Sequence, residues 1–81
     1  MNNMEILIER YPDEEFLQAD GFEEAIIGID QNFRVCYSNK KCIEILAKDM
    51  PLDEAADYFW FNVAGAYVGE KTPIFVDEIL V

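Results

Sequence analysis

Eighty-one residues are enough for one domain and no more, and a hydrophobic share of 52% with 14% aromatics lets them close a single modest core, which argues against wholesale disorder. Seventeen acidic residues against six basic ones leave a formal net charge of −11, so the surface repels phosphate backbones and anionic lipid headgroups. Direct binding to DNA, RNA or a membrane surface is therefore not expected, and a charged partner is expected to be basic.

In chain order, the first element is a short helix over Asn3 to Tyr11, with Met4, Leu7, Ile8 and Tyr11 at the spacing of one helical face and Pro12 ending the run. From Glu24 to Asp30, Ala25, Ile27 and Ile29 alternate with Glu24, Ile26, Gly28 and Asp30. After Asp30-Gln31-Asn32 a second β-rich stretch follows from Arg34 to Tyr37, and the pair reads as a hairpin around an Asx-rich turn. Ser38 is placed to N-cap a helix over Asn39 to Lys48, with Cys42, Leu46 and Met50 on one stripe and Ile43 beside it, and Asp49-Met50-Pro51 breaks it. A further helix is expected over Leu52 to Tyr67, with Asp53 and Glu54 complementing the dipole in its first turn. Its core face would carry Leu52, Ala55, Ala56, Phe59, Val63 and Ala66. Gly65 and Gly69 are expected to permit close packing and end that helix, and Pro73 to Val76 reads as an edge strand. The expected fold is a small single α+β domain over residues 1–81, in the order α-β-β-α-α-β, with a small antiparallel or mixed sheet packed on helices.

The chain has no histidine, which removes the commonest general base and the commonest metal ligand together. Carboxylate groups such as Asp13-Glu14-Glu15, Glu23-Glu24 and Asp53-Glu54 lie in charged stretches that read as solvated faces, and no loop matches the twelve-residue calcium pattern. The segment Gly65 to Thr72 ends in Lys-Thr but lacks the spacing and preceding strand of a phosphate loop. A binding protein is expected rather than an enzyme, with no cofactor, no metal and no catalytic residues.

No apolar run is long enough to span a bilayer, and the opening Met1-Asn2-Asn3-Met4-Glu5 has neither the basic start nor the apolar stretch of a signal peptide, so a cytoplasmic location is expected. Cys36 and Cys42 fit neither the CxxC motif nor a metal knuckle. They read as reduced, mostly buried residues, with a disulfide between them the alternative under oxidising conditions.

Charge is segregated along the chain, with a net of −8 over residues 1–30, +3 over 31–48 and −6 over 49–81. Either the basic middle helix pairs with acidic neighbours inside the fold, or it forms a separate contact patch, including a self-association site for the acidic face of a second copy. Tyr58, Phe59, Trp60 and Phe61 are consecutive and cannot all enter one core. Phe59 is assigned to the core and Trp60 to its flank, while Tyr58 and Phe61 turn toward the side of Glu54 and Asp57. Either a second layer covers that side or aromatics stand exposed among carboxylates. In the second case Glu54, Asp57, Tyr58 and Phe61 form the partner-binding face.

Three stretches, Asp20-Gly21-Phe22-Glu23-Glu24-Ala25-Ile26-Ile27-Gly28, Tyr37-Ser38, and Phe61-Asn62-Val63-Ala64-Gly65-Ala66-Tyr67-Val68-Gly69 with Thr72-Pro73, together resemble a family of short, functionally unassigned proteins of tailed bacteriophages. The resemblance covers most of residues 20 to 77 and brings no catalytic residues. It implies action in a bacterial cytoplasm against a basic host protein, of which nucleic-acid-binding defence systems (CRISPR or restriction) and transcription components are examples. A structural or assembly protein of the phage particle, acting as a homodimer or other self-associating unit, is the alternative. Ala25 to Asp30 and Arg34 to Asn39, with Ile43, Ile45 and Leu46 on the helix that follows, also resemble the opening of a PAS sensor domain. Such a domain needs further helices and a three-stranded hairpin sheet, and only about forty residues follow, so a small-ligand sensor is a further alternative.

Overall fold

The computed structural model describes residues 2–79, which form helix α1 (Asn3–Arg10), strands β1 (Ile26–Ile29) and β2 (Val35–Ser38), helices α2 (Asn39–Leu46) and α3 (Leu52–Tyr58), and strand β3 (Ile74–Val76). A 3₁₀ turn at Glu23–Ala25 leads into β1, and a π-helical turn at Phe59–Val63 extends α3. The sheet order is β1-β2-β3, with β1 antiparallel and β3 parallel to the central β2. This is the expected α+β architecture, and of the two sheet types allowed it takes the mixed one.

Local chemistry accounts for most of the boundaries. Asn2 caps α1 by accepting the Glu5 N–H at 2.9 Å, and the Tyr11 N–H closes the helix on the Leu7 carbonyl just before Pro12. The Asn3 side-chain amide donates to the Ile26 carbonyl at 3.0 Å and ties α1 to β1. In the hairpin, the Asp30 carboxylate accepts from the Asn32 and Arg34 N–H groups at 2.9 and 2.8 Å, the Asx turn that its composition implied. The last turn residue, Phe33, sits in the left-handed region at φ 61°, where an ordinary side chain crowds its own backbone. Ser38 ends β2 and caps α2 in one residue, its hydroxyl accepting the Lys41 N–H at 3.2 Å.

Four expectations are corrected. The simple alternation over Glu24 to Asp30 fails because the 3₁₀ turn that ends at Ala25 precedes the strand and a bulge lies between Ile26 and Gly28; Ala25 and Ile26 are both buried and Ile27 faces out. On α1 only Met4 and Leu7 are buried, while Ile8 is exposed and Tyr11 stands at the edge, its ring 5.4 Å from that of Phe33. Helix α2 stops at Leu46 instead of Lys48, closing through turns in which Lys48 and Asp49 donate to the Ile45 and Leu46 carbonyls. The long helix does not reach Tyr67. It widens after Tyr58, with the Ala64 N–H donating five residues back to the Phe59 carbonyl at 2.9 Å, and there it ends.

The proposed core face of α3 is reassigned at both ends. Ala55 and Phe59 are fully buried and Ala56 and Val63 half-buried, but Leu52 and Ala66 are exposed. Ala66 lies beyond the widened turn, where the helical register no longer carries it inward. Gly69, at φ 112°, therefore serves a separate turn rather than the helix end. Thr72 closes that turn, its hydroxyl donating to the Gly69 carbonyl at 2.6 Å and accepting the Val68 N–H at 2.8 Å.

The core centres on Tyr37, fully buried on β2 and stacked on Phe75 of β3 at 5.3 Å, with Phe59 packed edge-on to Phe75 at 5.5 Å. Met4, Leu7, Phe22, Ala25, Ile26, Val35 and Cys42 complete it. The Tyr37 hydroxyl accepts the Ala19 N–H at 2.7 Å, which pins the non-helical segment between α1 and β1 onto the sheet.

Candidate functional site

Phe59 determines the orientation of everything around it on α3. Its ring occupies the slot above Phe75, so its neighbours in the chain must project elsewhere. Trp60 keeps one edge contact, 5.0 Å from the Phe59 ring, and is 51% exposed. Tyr58 is 47% exposed and Phe61 84% exposed. No second layer covers this side among the described residues, so of the two arrangements allowed by four consecutive aromatics the exposed one is observed.

Glu54 and Asp57 are exposed on the same helix. The structure thus leaves all four residues of the sequence-derived face open to solvent, Glu54, Asp57 and Tyr58 on α3 and Phe61 on the π-helical turn that extends it. Asp53 adds a further carboxylate, bonded to the Glu54 N–H at 3.0 Å. Among the described residues the one ion pair is Lys71 with Glu14 at 3.8 Å, so neither Glu54 nor Asp57 has a cation within ion-pair distance. An apolar side chain as exposed as Phe61, on a helix with uncompensated carboxylates, is suited to an apolar pocket bordered by positive charge.

Sequence reasoning left two exposed aromatics out. Trp60 was treated as flanking the core, yet half of it is solvent-facing. Tyr67 was placed at the end of a helix, yet it is exposed in the loop that follows the observed end. The signal for Tyr67 was the pair Gly65 and Gly69, which brackets it and favours a loop over a helix that far.

The middle cations do not form close internal pairs. Lys40, Lys41 and Lys48 are exposed on and just after α2 and make no ion pair among the described residues. Lys41 and Lys48 do share a small cleft of about 210 Å³ with Glu24 and Glu44, so this surface carries mixed charge rather than a purely basic patch.

The remaining groups with chemical potential are engaged in structure. Cys36 and Cys42 are free thiols. Burial pushes Cys42 up to about 12 and raises Cys36 as well, aided there by the nearby Asp30 carboxylate, so neither is activated toward a nucleophilic thiolate. The Thr72 hydroxyl is taken up by its own turn, and Lys71 reaches Glu14 and the Asn32 carbonyl rather than an anion site. Among the described residues no group of three or more Cys, Asp or Glu is placed to hold a metal ion, and no helix is long and apolar enough to cross a membrane.

Neither a protein-family model, nor a curated protein, nor a solved structure matches this chain, so the bacteriophage resemblance rests on the quoted residues alone.

Proposed function

We propose that this chain is a binding protein, without catalytic activity, that attaches to a basic host protein through Glu54, Asp57, Tyr58 and Phe61 and thereby inhibits or modulates it. The observation that carries the reading is the 84% exposure of Phe61 on a helix whose carboxylates lack cation partners. Exposed aromatic anchors are costly in water and are what binding hot spots are made of, while carboxylates speed encounter with a positive surface. The resemblance of residues 20 to 77 to short tailed-bacteriophage proteins supplies the setting, a bacterial cytoplasm. A net charge of −11 suits a target built to hold nucleic acid, such as a defence or transcription component.

Affinity capture from bacteria expressing the tagged chain, followed by mass spectrometry, tests this. Recovery of one basic nucleic-acid-binding protein, lost with Phe61→Ala, supports it. Recovery of the chain alone, running as a multimer, supports the self-associating assembly reading instead. The sensor reading fits the topology less well, because β3 joins the sheet in parallel with β2 rather than through a hairpin.

A further inference from the structure

A second apolar surface lies away from α3. Helix α1, the segment after it and the loop before β3 enclose an open groove of about 680 Å³ whose floor is Met4, Ile8, Phe16, Leu17 and Val68. Met4 is buried at its base, while Ile8, Leu17 and Val68 are 54%, 42% and 61% exposed. Three large aliphatic side chains left in water around one concavity are not required by the core, whose cluster closes without them.

The rim is acidic. It carries Glu14, Glu15, Glu70 and Lys71. The Lys71 ammonium is already held, 3.8 Å from the Glu14 carboxylate, 3.1 Å from the Asn32 carbonyl and 5.6 Å from the centre of the Phe33 ring. Glu15 and Glu70 have no cation partner among the described residues. One wall is held by its own turn, in which the Val68 N–H donates to the Thr72 hydroxyl at 2.8 Å, and Lys71 ties it to Glu14 on the other.

We infer that this groove is a docking site for a segment of another protein that presents apolar side chains on one face with lysine or arginine beside them. The acidic rim selects that chemistry. A second copy of this chain, at −11, is disfavoured by the same charge. The inference stands apart from the α3 face, since the groove is lined by none of Glu54, Asp57, Tyr58, Trp60, Phe61 and Tyr67.

The test is amide NMR mapping on the full chain, titrated at near-physiological salt with a short amphipathic Leu/Lys peptide, and with a Leu/Glu peptide of the same pattern as control. Saturable binding of the Leu/Lys peptide at one site, with shifts clustered at Ile8, Leu17, Val68 and Glu70, is expected. Leu17→Ser and Val68→Ser should each weaken it by roughly tenfold, and Phe61→Ala should leave it unchanged. Shifts scattered over the acidic surface, shifts centred on Tyr58 and Phe61, equal binding of the Leu/Glu peptide, or no saturable binding would each overturn the inference. Because the mapping is made on the unaltered chain, the result does not depend on the variants folding. Loss of host-protein capture by Phe61→Ala is a separate readout, so failure at the groove and failure at α3 are told apart.

Discussion

Replacing Phe61 with alanine separates a working surface from a structural one, and its neighbour Phe59 supplies the internal standard. Phe59 is fully buried and packed at 5.0 Å on Trp60 and 5.5 Å on Phe75, so Phe59→Ala should cost about 3–5 kcal/mol, the usual range for truncating a core phenylalanine. Phe61 is 84% exposed and takes part in none of the aromatic pairs. Removing its ring from solvent-facing helix should change stability by no more than about 0.5 kcal/mol. In a domain of this size 1 kcal/mol shifts the melting temperature by about 4–8 °C. Phe61→Ala should therefore melt within roughly 4 °C of the parent, and Phe59→Ala at least about 12 °C lower or already unfolded. Thermal unfolding followed by far-ultraviolet circular dichroism, run beside the capture experiment, reads both. A loss of about 10 °C or more in Phe61→Ala would show that its ring is packed in solution, and the binding-face argument would fail. Unchanged stability with unchanged capture would refute the role assigned to Phe61 while leaving the fold description intact.

Raised Cys42 and Tyr37 make the fold sensitive to alkali. In each case the folded state holds its proton above the pH at which the unfolded chain releases it, so the stability Cys42 contributes is fully present below about pH 9 and is lost as pH rises toward about 12, and that of Tyr37 is present below about pH 10 and is lost as pH rises above it. Denaturant midpoints should fall through that window, and Cys42→Ala should flatten the fall. A midpoint constant from neutrality to pH 11 would contradict the burial of both groups. Ser38→Ala should remove the α2 cap and cost about 1 kcal/mol, read from denaturant unfolding, and a neutral result would mean that the Lys41 N–H finds water instead. At Phe33, glycine relieves the left-handed backbone whereas alanine keeps it, and both lose the Tyr11 ring contact. Phe33→Gly should accordingly be the more stable of the two variants by thermal melting, and the reverse order would place the turn in another conformation.

Features governed by groups within about five residues of one another were determined by the sequence alone. Pro12 and Pro51 bound their helices, Asp30 builds the hairpin turn through its own carboxylate, and Ser38 starts α2, because each interaction closes through a few bonds of backbone and needs no distant partner. The order of elements follows from those punctuation marks, and so does the conclusion that four consecutive aromatics cannot share one core. The bulge in β1, the parallel pairing of β3 with β2, and the widening of α3 into a π-helical turn were decided elsewhere. Each depends on how the Tyr37, Phe75 and Phe59 rings fit together across β2, β3 and the end of α3, and periodicity carries no information about that fit. The same holds for the candidate face. Helical spacing placed Phe61 on the side of Glu54 and Asp57, but only the packed structure, in which Phe59 takes the slot over Phe75 and nothing among the described residues lies over the opposite side, leaves Phe61 in water. Exposure is a property of what the rest of the chain covers, and that is settled by the closure of the core as a whole.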